Sequence, residues 1–252
     1  MKIVSWNVNS IKARLEHVKR YLKEETPDIL MIQELKGLEF PATAFKEIGY
    51  HTHAVCQKAY NGVAIISKHE ISIIKEKLYD EDEQARYIEA DINGVRVINI
   101  YLPNGNPTPG DKYDYKLKWM EHLYSRLKNL RDNDIEFIIG GDFNVIPEDK
   151  DCYNPKDWEN DALFKLETRK SFRSLLNLGL TDAFRVFDSR AEQNTFWDYQ
   201  AGAWQKNNGI RIDHFLLSPV MADKLVSCKI NKEPRGWEKP SDHTPIEITV
   251  ES

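Results

Sequence analysis

No apolar run in this 252-residue chain approaches the ~18 residues that a membrane-crossing helix needs, so no such helix is expected. Cysteine is scarce as well. The three present, Cys56, Cys152 and Cys228, lie far apart and show no metal-ligand spacing. Such a set builds neither a disulfide framework nor a zinc site and fits a reducing compartment. The opening residues, Met1 to Asn9, alternate like a strand and lack the apolar stretch of a secretory signal, so a cytoplasmic location is expected. Nor is there an excess of positive charge. The net charge of −5 argues weakly against a nucleic-acid partner, but carboxylates reserved for a metal would push the sum the same way. Lys165, Arg169, Lys170 and Arg173 also fall at helical spacing. Net charge alone decides nothing.

Hydrophobic residues make up 41% of the chain, enough for a substantial core. Ile3–Val8 reads as a first strand, and Ser10 as the cap of a helix whose Ile11, Leu15, Val18 and Leu22 share a face. Thr26-Pro27 breaks that helix before a buried strand, Ile29–Ile32, that ends in Gln33-Glu34. Strand patterns follow near 51–56, 62–67, 71–77, 85–92 and 95–102, the last two joined by the hairpin signal Asn93-Gly94. The loop Pro103–Lys112 leads into a helix with Leu117, Met120, Leu123 and Leu127 on its core side. A strand over 135–144, an irregular stretch over 147–160 and a helix ending at Gly179 come next. Strands at 194–199, 210–217 and 246–250 complete the chain. Without repeats or linkers, mostly antiparallel strands interspersed with helices suggest two packed sheets covered by helices in one domain, 1–252.

Polar residues gather where these strands end. Gly140-Gly141-Asp142-Phe143-Asn144 closes an apolar run and sets a carboxylate two positions from a carboxamide, on one side of an extended chain. The two glycines admit a close approach by another backbone or by a ligand. Asn7 and Asn9 form a similar pair, which an ordinary turn also explains. Glu34 is placed either as a hard-metal ligand or as a surface residue where its strand emerges. Tyr101 and Asn104 flank a Leu-Pro, Arg211 and Asp213 share one face of a strand, and Asp242-His243 sits in a turn. No serine or cysteine nucleophile stands out. Carboxylates, amides, one imidazole and one phenol suit metal-assisted hydrolysis of a phosphate ester.

Trp6-Asn7-Val8-Asn9, Gln33-Glu34-Leu35-Lys36, Tyr101-Leu102-Pro103-Asn104, Gly141-Asp142-Phe143-Asn144, Gly209-Ile210-Arg211-Ile212-Asp213 and Ser241-Asp242-His243 occur in one order from first strand to last. In that order they resemble the exonuclease III family, magnesium-dependent endonucleases at abasic sites. Thr195–Tyr199 and Lys239–His243 resemble its bacterial branch. The resemblance implies a four-layered α/β sandwich, with two mixed, mostly antiparallel sheets face to face and helices outside. It implies Mg, or Mn, held chiefly by Glu34 with Asn7 and, through water, Asp242, and with Asp142 and Asn144 as ligands of any second ion. Asp142 resembles the group that activates water, Asn144 the one that orients it, and His243 backed by Asp213 the pair that meets the scissile phosphate. Tyr101 and Asn104 match phosphate contacts. Asn9, Arg211 and Trp237 are grouped with them against DNA, although Trp237 reads equally as a packed aromatic.

Some relatives carry Asp where Asn9 stands, which leaves one- and two-metal coordination both open. Phe196, Ile210 and Ile212 match a pocket for a sugar lacking its base, or else are ordinary core. The activity implied is cleavage 5′ to abasic sites and removal of nucleotides or blocking groups from 3′ ends of double-stranded DNA by a monomer. The alternatives are a phosphoesterase with another substrate and a non-catalytic RNA-associated regulator of the same fold.

Overall fold

The computed structural model describes residues 1–251. In chain order its elements begin with β1 (Lys2–Asn7), α1 (Ile11–Glu25), β2 (Ile29–Gln33), α2 (Ala42–Lys46), β3 (His51–Val55) and β4 (Val63–Ser67). They continue with β5 (Ser72–Lys75), β6 (Tyr87–Ile92), β7 (Val95–Tyr101), α3 (Asp111–Asp132), β8 (Phe137–Asp142), α4 (Pro155–Trp158) and α5 (Leu166–Leu176). Last come β9 (Thr181–Asp182), α6 (Ala183–Phe187), α7 (Ala203–Lys206), β10 (Asp213–Leu217), α8 (Pro219–Asp223), β11 (Leu225–Ile230) and β12 (Ile246–Val250).

Two six-stranded sheets result, ordered β11-β12-β1-β2-β4-β3 and β5-β6-β7-β8-β10-β9. Each is antiparallel except for one parallel pair, β1 with β2 and β7 with β8. Those pairs are the two places where a helix, α1 or α3, returns the chain to its starting end, as a parallel crossover requires. The inner faces meet in a core that contains Ile3, Met31, Ile65, Ile88, Val97, Ile138 and Phe215. Helix α1 covers the outside of the first sheet through Val18, Tyr21 and Leu22. Helices α3 and α5 cover the second through Trp119, Leu123, Leu127, Phe172 and Leu175. The expected four-layered sandwich is what forms, and no helix among the described residues is long and apolar enough to cross a membrane.

Local chemistry explains the joints. Ser10 caps α1 by accepting from the Ala13 N–H at 3.3 Å, as its position suggests. Asn93 and Gly94 both take positive φ, 49° and 80°, the geometry of a tight turn matched to strand twist. Gly141 has φ 151°, and a Cβ there would lie 2.0 Å from the Ile100 carbonyl oxygen. What approaches Gly141 is therefore the neighbouring β7 backbone and not a ligand.

Three strand expectations need correction. The stretch 194–199 is no strand, since Phe196 makes only isolated bridges to Ile210 and His243. The strand expected over 210–217 begins at Asp213, because Ile210 to Ile212 turn aside to meet loop residues. Strand β11 was not foreseen. It lies at a sheet edge with only Cys228 buried, so its sequence carries little of the alternation that marks a half-buried strand.

Candidate active site

Register brings the site together. In the first sheet Asn7 pairs with Gln33, the residue before Glu34. In the second, Tyr101 pairs with Asp142, and Asp142 with Asp213. The carboxyl ends of both parallel pairs thus open into one cavity of about 310 Å³, the usual place for a ligand in an α/β sheet. Its lining includes Asn9, Glu34, Tyr101, Asn104, Asp142, Asn144, Phe196, Ile210, Ile212, Asp242 and His243.

Asn7 ties the sheets at this point. Its amide Nδ2 donates to Glu34 Oε1 at 2.9 Å and to Asp142 Oδ2 at 3.0 Å, while its Oδ1 accepts from the Asn9 N–H at 3.0 Å. Glu34 Oε1 also accepts from the Tyr101 hydroxyl at 2.9 Å, and Lys36 Nζ lies 2.7 Å from Oε2. Burial pushes the Glu34 carboxyl up, but the Lys36 ammonium and the Asn7 amide outweigh it, so Glu34 is held ionised. Burial and the nearby Glu34 and Asp142 raise Tyr101 well above the ordinary tyrosine range, so it remains a phenol and a donor.

Asp142 and Asp213 face each other across β8 and β10, a like-charge pairing that would oppose folding if unrelieved. His243 relieves it. Its Nδ1 lies 2.9 Å from Asp213 Oδ2 and its Nε2 3.7 Å from Asp142 Oδ2. Burial alone would discharge the imidazole, but Asp213 and Asp142 prevail and hold it protonated. Asp142 moves upward, first through burial and then through Asp213 and Glu34, with His243 opposing. The result is a carboxylate poised as a base beside an imidazolium, with a third buried carboxylate behind.

Asn144 reaches the site by a route the sequence hid. Strand β8 stops at Asp142, and Asn144 sits in the left-handed region at φ 47° with its N–H donating to Asp142 Oδ1 at 2.9 Å. Its Oδ1 accepts from Asn104 Nδ2 at 3.2 Å and its Nδ2 donates to Leu102 O at 2.9 Å. Asn9 and Glu34 also have positive φ, 45° and 58°. Held against preference, such backbone is concentrated where side chains must converge.

The donor set fits a hard divalent cation. One oxygen each of Glu34 and Asp142 and a nitrogen of His243 all lie within 4.8 Å of one another, and the two carboxylates are the ligand type magnesium takes. Asp242 stands on the cavity wall outside that cluster, with Oδ1 accepting from Asn9 Nδ2 at 3.1 Å.

Two expected contacts are displaced. Arg211 is 1% exposed. Its Nε lies 2.6 Å from Asp151 and its Nη1 2.9 Å from Asp182, so no DNA phosphate reaches it. A charge alternating with apolar neighbours looks the same whether it faces water or a buried partner. Trp237 packs edge-on against Trp6 and under Arg20, away from the cavity, which is its packed-aromatic alternative.

Other residues went unread. Lys36 bridges Glu34 and the Asn9 side chain. Lys116, wholly buried, donates to Asn144 O at 2.6 Å and Asn104 O at 3.1 Å. Trp158, from the stretch read only as irregular, and Asp161 and Leu163, just beyond it, also line the cavity. Lys36 lay inside a quoted motif, but the others carried no local signal.

Comparison with known proteins agrees with this geometry. The profile of the endonuclease/exonuclease/phosphatase family matches residues 4–243. Exodeoxyribonuclease III of Haemophilus influenzae is 33% identical over 98% of both chains, and an exodeoxyribonuclease of Bacillus subtilis is 33% identical over 99% of both. Among solved structures, the 3′ phosphatase NExo from Neisseria, bound to a product DNA hairpin, superposes with a TM-score of 0.96 at 38% identity, each chain covered in full. An AP endonuclease from Archaeoglobus fulgidus gives the same values. The chain belongs to the endonuclease/exonuclease/phosphatase family, as a metal-dependent nuclease of its exodeoxyribonuclease III kind.

Proposed function

We propose that this site hydrolyses phosphodiesters of duplex DNA with magnesium held by Glu34. It cuts on the 5′ side of an abasic sugar and removes nucleotides or blocking groups from 3′ ends. One observation carries the reading. Glu34, Asp142 and His243 converge within 4.8 Å, in the cavity whose apolar lining includes Phe196, Ile210 and Ile212. The carboxylate pair suits a divalent cation, the imidazolium suits the phosphate, and the apolar wall suits a sugar that brings no base with it. Both sheets supply site residues, so the whole chain acts as one unit.

Bound magnesium would neutralise phosphate charge and polarise the P–O bond. Asp142 takes a proton from the attacking water, whose oxygen bonds to phosphorus as the bond to the 3′ oxygen breaks, and the departing 3′ oxygen takes a proton from solvent to leave as a hydroxyl. The Asn144 amide fixes that water. His243, held protonated by Asp213, donates from Nε2 to a phosphate oxygen as charge builds. Tyr101 and Asn104 border the same space and meet the remaining phosphate oxygens.

The test is a gel assay on three labelled duplexes, one with an abasic site, one intact and one recessed at the 3′ end, with magnesium and with chelator. Cutting 5′ to the abasic site and 3′ trimming, both abolished by chelator, are expected. Glu34→Ala should weaken magnesium binding measured by calorimetry. Undiminished cutting in chelator would overturn the assignment.

A further inference from the structure

The wall that Phe196 and Ile210 present to the active cavity has another side. A second cavity, of about 320 Å³, shares Trp158, Phe196, Asp198 and Ile210 with the first and continues past them to Tyr153, Gln200 and Asn208. We propose that this second cavity receives the nucleobase of the 3′-terminal nucleotide during trimming, so that ends bearing a base use both cavities and base-free sugars use only the first. The inference rests on the DNA reading above and deepens it.

The chemistry of the lining selects the occupant. Tyr153, Trp158 and Phe196 offer ring surfaces on which a base stacks. Gln200 and Asn208 are amides, and Asp198 accepts, a mixture that matches the edge of a base. The lining holds no lysine or arginine, and its single charge is the Asp198 carboxylate, so a phosphate is disfavoured there. Trp158, which lines both cavities, has a buried indole Nε1–H with no partner within the protein, an unsatisfied donor at their shared wall. The volume stands at the low end of small-molecule sites, roughly 300–1,000 Å³.

The cavity is built, not incidental. The Tyr153 N–H donates to Gly209 O at 3.1 Å, and Cys152 bridges Ile210, so the segment bearing Tyr153 is fixed to the residues just before β10 that also line the first cavity. Gly209 is packed so closely that a Cβ would lie 2.5 Å from Trp197 Nε1. A base leaves the stack most readily when unpaired or at a chain end, which is where trimming occurs. An enzyme that releases ordinary nucleotides must put the base somewhere, and the first cavity already has the phosphate and the sugar to hold.

The experiment compares three duplexes: an ordinary recessed 3′ nucleotide, a 3′-phosphate end and an internal abasic site. Tyr153→Ala should slow release of ordinary nucleotides about tenfold, the scale of one lost base stack, and leave the other two reactions unchanged. Tyr153→Phe, which keeps the ring, should behave as wild type. Equal loss on all three substrates by a folded variant, or loss on none, would overturn the inference and leave the nuclease reading standing. A wild type that cuts none of the three overturns both. A measurement on unaltered protein guards against a variant that fails to fold. With chelator present, a 3′-terminal 4-thiothymidine irradiated in complex should crosslink to Tyr153 or Trp158, and crosslinks confined to other residues would refute the placement.

Discussion

Replacing Lys116 with methionine separates a positioning role from a structural one, because the residue leaves a signature in pH. Its ammonium is wholly buried, touches no carboxylate and donates only to the carbonyl oxygens of Asn144 and Asn104. Burial pulls it down to about 7 from an unfolded value of 10.5. The unfolded chain therefore holds more protons than the folded one between those values, so Lys116 makes stability rise with pH across that window. From about pH 7 to about pH 9 the linkage amounts to about 2 kcal/mol. Lys116→Met keeps the volume and removes the titration. Urea unfolding of both proteins, followed by tryptophan fluorescence with chelator present, should show the wild type gaining that much on the variant as pH rises. Cysteines that titrate in the same range cancel in the difference. The variant should also lose activity at neutral pH, since the two asparagine segments lose their common tether, with kcat falling more than KM rises. Parallel stability curves would refute the charged, buried assignment, and unchanged kcat would refute the tether.

Asp142→Asn and His243→Ala should each slow cleavage by roughly 10³-fold, the cost of one catalytic group, and the double variant by less than the product, since both act on one phosphate. Losses that multiply in single-turnover assays would place the two residues in separate steps. Phe196 is half-buried and borders two cavities, so Phe196→Ala should cost well under the roughly 3–5 kcal/mol of a core phenylalanine. A melting curve checks that, and the same variant should lose both abasic cutting and trimming of ordinary 3′ ends, since Phe196 lines both cavities. Asn99 links the sheets: its Nδ2 donates to Ile32 O and Ala64 O, and its Oδ1 accepts from Gln33 Nε2 at 2.7 Å. Asn99→Leu removes three buried hydrogen bonds, with Gln33 Nε2 keeping only the Ser5 hydroxyl and Met31 O, and should destabilise by about 3 kcal/mol, a fall of roughly 10 °C in calorimetry for a chain of this length. An unchanged Tm would mean that the core is wetter than its packing implies.

The residues proposed to carry chemistry were legible for one physical reason, and the residues that support them were illegible for its converse. Glu34, Asp142 and Asp213 interrupt or end apolar runs, so each shows as a polar break in a strong pattern. Arg211 shows as the same kind of break and is structural, buried against Asp151 and Asp182. The pattern thus finds buried or cornered charges but does not tell a site from an internal ion pair. What separates them is register, which belongs to two strands at once. Asn7 beside Gln33, and Tyr101 beside Asp142 beside Asp213, put five polar strand ends at one mouth. Arg211, just short of β10, instead meets the loop at Asp151 and the edge strand at Asp182. Lys116 and Leu163 are invisible for a further reason. Each touches the site from a helix or a loop whose own sequence is satisfied by local demands, so their function exists only in the packing. A polar strand end is therefore evidence of a site in proportion to how many independent strands deliver one to the same place, and here both sheets do so through their parallel pairs.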